Sequence, residues 1–247
     1  MFVEMAIGSP SKRGALVPLE DVWDIVYEQG QGQAIYKSVY RYDSEALAFI
    51  KANGSIKNFL GTRYINTVPI DIDRGQDSDE FTLSRTQQIL TYLNKELHLK
   101  DGNYAIYYSG TGYHIDLSAE VFGFKPSPDL PFIVKATMMK LLDSYDPDPA
   151  VYTRTSIIRI AHTLNVKSSL YKIPLTTNEL LTSSYSDIVT LASGRRLDFG
   201  QSDLWGDESL SDKIVTEVPK VRSMQKINEP SNVVPCVQKL YNDGPTK

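Results

Sequence analysis

Two short runs of aromatic and β-branched residues, Tyr104–Tyr108 and Tyr113–Leu117, flank the segment Ser109-Gly-Thr-Gly112. Runs of this composition favour β-strands, and a short connection that contains glycines favours a turn, so the sequence predicts an antiparallel hairpin. Gly110 and Gly112 can adopt positive φ and allow the backbone to approach a ligand closely. Exposed N–H groups in such a turn can bind an anion, so the hairpin is also a candidate binding element.

Two polar side chains flank this turn. Ser109 and His114 can both donate hydrogen bonds to a ligand held there. A single histidine beside a hairpin is more often structural than functional. The turn alone therefore leaves a structural and a phosphate-binding interpretation open.

An acid pair, Asp71 and Asp73, closes an apolar run upstream of the hairpin. Side chains alternate between the two faces of an extended segment, so both carboxylates lie on one face while Ile70 and Ile72 point into the core. Carboxylates placed in this way can ligate one divalent ion or bracket two ions about 3.5 to 4 Å apart. The alternative is a solvated strand edge that leads into a turn at Arg74-Gly75.

A third motif, between Asp146 and Leu175, supplies acids first and basic residues afterwards. Arg159 follows an apolar pair and in an extended segment shares a face with Ile157, which indicates a cleft rather than open surface. A buried guanidinium requires an anionic partner. Alternatively, the acids before proline end a helix, and the basic residues lie along a solvated strand edge.

The order of these three motifs resembles the catalytic core of the archaeo-eukaryotic primase superfamily, whose members make primers and sometimes extend them. The small primase subunit of that family carries a segment that ends in Arg-Leu-Pro-Gly-Ser-Leu-His-Gly-Lys-Thr-Gly, and residues 159–169 align with it without a gap. Arg159 and Lys167 match, whereas Asn165 stands where the family often has histidine and His162 where it often has glycine. The form with asparagine, followed by Tyr171-Lys-Ile-Pro-Leu175, resembles phage and plasmid primase-polymerases.

The resemblance covers about residues 60–180 and implies a metal-dependent site. Asp71, Asp73 and Asp148 are expected to hold Mg²⁺ or Mn²⁺, with Asp146 as the rival third acid. Such ions activate a primer 3′-hydroxyl and neutralise the transferring phosphate. The residues expected to bind the triphosphate of an NTP or dNTP are Ser109, Gly110, Gly112, His114, Arg159, Asn165 and Lys167.

The resemblance casts His114 as a phosphate donor. A zinc-ligand role is disfavoured, because no other histidine or cysteine lies at metal-ligand spacing. Asp116 shares a face with His114 and is a candidate to orient its ring. Asn165 keeps a donor and an acceptor for a phosphate or sugar contact, but it has no titrating ring.

The composition limits the class of protein. The chain has 247 residues, 41% of them hydrophobic, which suffices for one large domain or two packed lobes. The single cysteine, Cys236, excludes an internal disulfide framework and fits a cytoplasmic protein, in the host cytoplasm if the gene is viral or plasmid-borne. No apolar run approaches membrane-spanning length, so we expect no membrane partner. The net charge of -4 provides no general basic surface, so contacts to DNA must be local or supplied elsewhere.

Helix and strand patterns predict an α/β fold. The resemblance implies a primase catalytic core with an antiparallel sheet like that of RNA-recognition domains, packed against an N-terminal α/β lobe. The acid pair ends a predicted strand, Ile65–Ile72, in which Pro69 indicates an edge or a bulge. We expect residues 1–20 and residues 29–33 to form surface loops. The predicted helices are Asp43–Ala52, Glu80–Leu99 and Leu130–Ser144.

We expect three segments along the chain. Residues 1–200 form the catalytic core, and residues 201–229 form a polar linker or peripheral segment. Residues 230–247 resemble the start of a helical accessory module that the sequence truncates. Cys236 fits a buried apolar position in that module better than a metal site.

The motifs predict a DNA primase or primase-polymerase. Such a nucleotidyltransferase copies single-stranded DNA from NTPs or dNTPs, with an accessory module or a helicase as a candidate partner. The alternatives are a polymerase of the same superfamily in end-joining repair or CRISPR adaptation, a carboxylate-metal phosphatase, and a non-catalytic single-strand-binding module. The last would stack bases on Tyr104, Tyr107, Tyr108 and Tyr113, although strand alternation is expected to bury some of them.

Overall fold

The computed structural model describes residues 1–145, 147–199 and 204–206. The strands in these residues are β1 Phe2–Ile7, β2 Ala15–Pro18, β3 Ile35–Ser38, β4 Thr67–Asp73, β5 Tyr104–Tyr108, β6 Gly112–Ser118, β7 Ile157–Arg159, β8 Leu164–Asn165, β9 Leu170–Tyr171 and β10 Ile173–Leu175. The helices are α1 Val22–Gln29, α2 Ser44–Asn53, α3 Asp79–Lys95, α4 Leu130–Leu141, α5 Thr177–Thr182 and α6 Tyr185–Leu191. None of the helices in these residues is both long and apolar enough to cross a membrane.

Two four-stranded antiparallel sheets form the frame. The first, the N-terminal sheet, has the strand order β2-β1-β3-β7, and the second, the hairpin sheet, has the order β10-β5-β6-β4. Strands β5 and β6 are the predicted hairpin, and they occupy the centre of their sheet. A two-stranded sheet, β8-β9, completes the set. The prediction of a mixed α/β fold with antiparallel sheets packed against helices is confirmed.

One face of the hairpin sheet builds the main core. Along β4, Val68, Ile70 and Ile72 are buried, as the alternation predicted. Helix α3 packs across this face with the apolar stripe that includes Leu90 and Leu93. Pro69 lies in an edge strand, where its missing N–H costs no ladder hydrogen bond.

The tyrosines of the hairpin mostly belong to the core. Tyr104, Tyr108 and Tyr113 are buried, and only Tyr107 points to the opposite, polar face, opposite His114 in the register. Buried rings cannot stack on bases, so three of the four stacking platforms of a binding module are absent.

The predicted helices form with small shifts at their ends. Asp43 caps α2 by accepting from the backbone of Glu45, and Gly54 ends it in a left-handed conformation. Helix α3 stops at Lys95, four residues before the predicted end, and His98 just beyond it takes a φ of 57°, which a right-handed helix cannot contain. Helix α4 likewise stops at Leu141, before a 3₁₀ turn.

The expectation that residues 1–20 form a surface loop is wrong for β1. This strand lies inside the N-terminal sheet between β2 and β3, and four of its six residues are buried. Burial on both faces removes the apolar and polar alternation that identifies a strand in sequence. Glu4 in its centre pairs with Arg13, which compensates the buried carboxylate. Helix α1 covers this sheet through Val22 and Val26.

Most of the predicted linker and accessory module lies outside the described residues. This applies to residues 200–203 and 207–247, and therefore to Cys236. The boundaries at residues 200 and 230 stay predictions.

Candidate functional site

The acid pair lies on the polar face of the hairpin sheet, at the end of the edge strand β4. Asp71 pairs in register with His114, and Asp73 pairs with Gly112. The neighbouring Ile72 points to the core, so both carboxylates share the opposite face. Asp71 is 22% exposed, whereas Asp73 is open to solvent.

His114 connects the acid pair to a buried lysine. Its Nε2 lies 3.2 Å from Oδ1 of Asp71, and its Nδ1 lies 2.7 Å from Nζ of Lys172. A protonated ammonium can only donate, so Nδ1 must accept and the ring proton sits on Nε2. Burial, followed by the charge of Lys172, lowers the pKa of His114 and keeps the ring neutral. The N–H of this neutral ring therefore faces Asp71.

Lys172 is a site residue that the sequence reading passed over. It is 2% exposed, donates to the carbonyl of Arg159 at 2.8 Å, and lies 4.6 Å from the ring centre of Tyr107. Burial lowers the pKa of Lys172 to about 8. The available signal was its place in the run Leu170-Tyr-Lys-Ile-Pro-Leu175, where it is the one charged residue.

Arg159 and Asn165 converge on the hairpin turn. Nη1 of Arg159 donates to the carbonyl of Ser109 at 2.7 Å, and Nδ2 of Asn165 donates to the same oxygen at 3.1 Å. The side-chain oxygen of Asn165 accepts from the backbone N–H of Lys167. The amide of Asn165 thus links the turn to the β8-β9 hairpin, while Arg159 keeps further donors for a ligand.

The two glycines of the turn allow close packing. Gly110 has a φ of 91°, and a Cβ there would lie 2.9 Å from Cβ of Asn165 and 2.8 Å from Oγ of Ser168. A Cβ on Gly112 would lie 2.5 Å from the carbonyl oxygen of Ile72, in the strand that carries the acids. The geometry therefore explains both glycines by close backbone approach, and their expected phosphate contact stays a prediction.

The β8-β9 hairpin presents Lys167 beside the turn. This side chain is exposed and has no hydrogen bond or ion pair among the described residues. Just before the hairpin, His162 takes a φ of 64°, a conformation that favours glycine. Its buried ring packs edge-on against Trp23, 5.4 Å away between centroids. His162 thus combines a buried, packed ring with a left-handed backbone conformation, at the position where the primase superfamily often has glycine.

Asp148 faces the acid pair across a cavity of about 310 Å³. It caps a 3₁₀ turn, with Oδ1 accepting from the backbone N–H of Ala150 at 2.8 Å. Arg85 also lines this cavity and donates to the carbonyl of Asp73 at 2.6 Å. Asp146, the rival third acid, lies outside the described residues.

The two acids of the pair differ in their protonation behaviour. Burial alone would raise the pKa of Asp71, but the contact with His114, and then the charges of Lys172 and Arg159, hold that pKa below its ordinary value. Burial and the negative charge of Asp71 raise the pKa of Asp73. The pair therefore carries a local excess of negative charge that a cation would relieve.

The acid pair fits a divalent cation with oxygen ligands. Oδ1 of Asp71 is buried and makes no hydrogen bond with the described residues, since its contact with His114 lacks hydrogen-bond geometry. Mg²⁺ at nucleotide sites is usually held by one or two carboxylates together with water and substrate phosphates. No three Asp, Glu, His or Cys side chains of the described part of the chain are close enough to hold a metal by themselves. Asp71 and Asp73 thus fit the two-carboxylate arrangement, and ligation by Asp148 stays a prediction.

Comparison with known proteins adds little to this site. No protein-family model matches the chain, and no curated protein matches it. One of the solved structures that match is the polymerase domain of ligase D from Mycobacterium tuberculosis, in complex with DNA. The two chains share 13% sequence identity at a TM-score of 0.43, over 79% of this chain and 67% of that chain. A likeness of this extent does not assign the chain to a family.

Proposed function

We propose that this protein is a metal-dependent nucleotidyltransferase, a DNA primase or primase-polymerase that copies single-stranded DNA from NTPs or dNTPs. One observation carries the proposal. The acid pair Asp71 and Asp73 lies on the same sheet face as the contact chain from His114 through Lys172 to Arg159. Acids that fit a divalent cation thus adjoin donors that fit phosphate, which is the pairing that phosphoryl transfer requires.

The ions belong at Asp71 and Asp73, with Asp148 as the proposed third carboxylate. When bound, Mg²⁺ or Mn²⁺ supplies charge neutralisation at the phosphate and a lowered pKa at the attacking hydroxyl. The carboxylates themselves fix the ions on a rigid strand rather than on a loop.

The basic and polar groups of the site bind the triphosphate. His114 offers the N–H on Nε2, which is poorly aligned with Asp71 and available to a phosphate oxygen. Arg159 at the hairpin turn and the exposed Lys167 supply positive charge. Charge of this kind offsets the charge that develops on the leaving pyrophosphate.

Lys172 acts through His114 rather than on the substrate. Its ammonium holds the ring in the tautomer with the proton on Nε2. A neutral acceptor at residue 172 would permit the other tautomer and turn a lone pair toward the phosphate. We therefore assign Lys172 as a positioning residue.

Primer synthesis on single-stranded oligonucleotides with Mg²⁺ or Mn²⁺ tests the proposal. The parent chain should produce or extend primers, and D71A/D73A should lose this activity. The matched control is D21A/D24A, which removes two exposed acids near the start of α1 and should retain parental activity. Equal product from the parent and D71A/D73A would overturn the proposal, and release of orthophosphate without chain growth would favour a phosphatase.

A further inference from the structure

A second cavity lies between the N-terminal sheet and the polar face of the hairpin sheet. It encloses about 540 Å³ and is separate from the cavity that the acid pair lines. Its cationic lining residues are Lys37, Arg41, Lys125, Arg159 and Lys172, and its acidic ones are Asp116 and Glu120. Five cations against two carboxylates leave this space with an excess of positive charge.

Two of these cations, Lys37 and Arg41, lack partners. No hydrogen bond or ion pair joins either side chain to another residue in the described part of the chain. Other arginines of the protein do have carboxylate partners, for example Arg13 with Glu4 and Arg196 with Glu179. Cations removed from bulk water without an anion are costly, so an unpaired set of this kind indicates an absent anionic ligand.

The cations also repel one another. Arg41 disfavours the charge of Lys37, and Lys37 in turn disfavours the charge of Lys172. Asp116 is the acid that offsets Lys37, but no ion pair joins the two, and Oδ1 of Asp116 is itself buried without a hydrogen bond. At both Lys37 and Lys172 the attraction of Asp116 exceeds the repulsion from the neighbouring cation, but this one carboxylate serves both lysines. Burial lowers the pKa of Arg41, and no carboxylate among the described residues offsets it.

We propose that the cavity binds a phosphate group between Lys37 and Arg41, a site distinct from the acid pair and from Lys167. The arginine offers a planar set of donors that matches phosphate oxygens, and the lysine adds a point charge. The volume lies in the range of small-molecule sites, and Trp23 and Tyr107 supply aromatic surface on its walls. The phosphate comes either from a nucleoside triphosphate or from a nucleic-acid strand.

Calorimetric titration of the full chain with inorganic triphosphate in EDTA tests this site. The chelator removes divalent ions, so the acid pair contributes no phosphate binding. K37M/R41Q should weaken binding roughly 10- to 100-fold, because each charge-assisted hydrogen bond is lost. D116N should strengthen it several-fold, since the competing carboxylate is neutralised. The charge-matched control K51M/K95M changes two exposed lysines on α2 and α3 and should bind as the parent does.

A second set of titrations identifies the source of the phosphate. If inorganic triphosphate competes with a nucleoside triphosphate but not with a single-stranded DNA oligomer, the nucleotide is the source of the phosphate. If it competes with the oligomer but not with the nucleoside triphosphate, the nucleic-acid strand is the source. Either result supports the site if K37M/R41Q weakens that ligand. If the double variant fails to fold, R41Q alone replaces it, because the Arg41 side chain makes no hydrogen bond within the described residues. Parental affinity in the folded variant, or no binding of either probe to the parent, would overturn the proposal.

Discussion

The two faces of the hairpin sheet are built by the same strands but serve different ends. On one face, Ile70, Ile72 and Ile115 are fully buried against α3, and apolar area removed from water stabilises the fold. On the other, Asp71 and His114 occupy the alternate positions of the same strands. The polar face carries half-buried charge that its neighbours only partly compensate. Substitutions on the two faces should therefore separate stability from activity.

The largest effect is expected from Asp71→Asn on the polar face. The change keeps the shape of the side chain and removes the charge that would hold a cation. Loss of several kcal/mol of charge stabilisation corresponds to a primer-extension rate roughly 100- to 1,000-fold lower. Single-turnover extension assays measure this, with Asp24→Asn on α1 as the control. A variant that keeps more than half of the parental rate would contradict the role of Asp71.

Ile115→Ala tests the apolar face at the position next to His114. Ile115 is 0% exposed, so its truncation should lower the free energy of unfolding by about 2 to 5 kcal/mol. Urea denaturation measures the loss, and the rate per folded molecule should stay near that of the parent. A large loss of rate at unchanged stability would show that the two faces are not separable.

Alternation explains why much of this frame was predictable. The apolar run before Asp71 and the aromatic runs around Ser109–Gly112 fixed β4, the hairpin and the shared face of the acids. Lys172 and Lys37 were not recognised, because their neighbours come from distant parts of the chain. Strand β10, next to Lys172, pairs with β5, and β3, which contains Lys37, pairs with β7. Pairing between distant strands leaves no periodic signal in a local window.

The strand β1 was also missed, because its local sequence pattern does not identify a strand. The strand is short, and the polar segment that follows it contains Gly8 and Gly14, which favour a loop. A strand buried on both faces has no alternation of apolar and polar residues, and β1 contains one charged residue, Glu4. The pairing of Glu4 with Arg13 and the hydrogen bond from the backbone N–H of Gly14 make that burial tolerable.

Lys172→Met tests the polar face through the pH dependence of the free energy of unfolding. Burial lowers the pKa of Lys172 to about 8, from an ordinary value near 10.5. Between these values the unfolded chain binds more protons than the folded one, so the free energy of unfolding of the parent should rise as pH increases from about 8 to 10.5. The rise attributable to this lysine is about 1 to 3 kcal/mol. Urea titrations of both proteins measure it, and K172M should lack this part of the slope. Parallel curves for the two proteins would contradict a charged, buried Lys172.

The difference between Gly110→Ala and a matched glycine substitution should be the smallest effect, and it tests how the polar face is held together. Gly54 is the matched control, because it also has a positive φ, 72° against 91° for Gly110, but no atom lies within 4 Å of a Cβ built there. Alanine at Gly54 should cost only the backbone penalty, about 1 to 2 kcal/mol. Alanine at Gly110 must in addition displace Asn165 and Ser168, so its cost should exceed that of G54A by about 1 kcal/mol. Because Asn165 also holds the hairpin of Lys167, G110A should weaken nucleotide binding, whereas G54A should not. Equal unfolding free energies and equal nucleotide affinities for the two variants would show that contact between the turn and the β8-β9 hairpin does not organise this face.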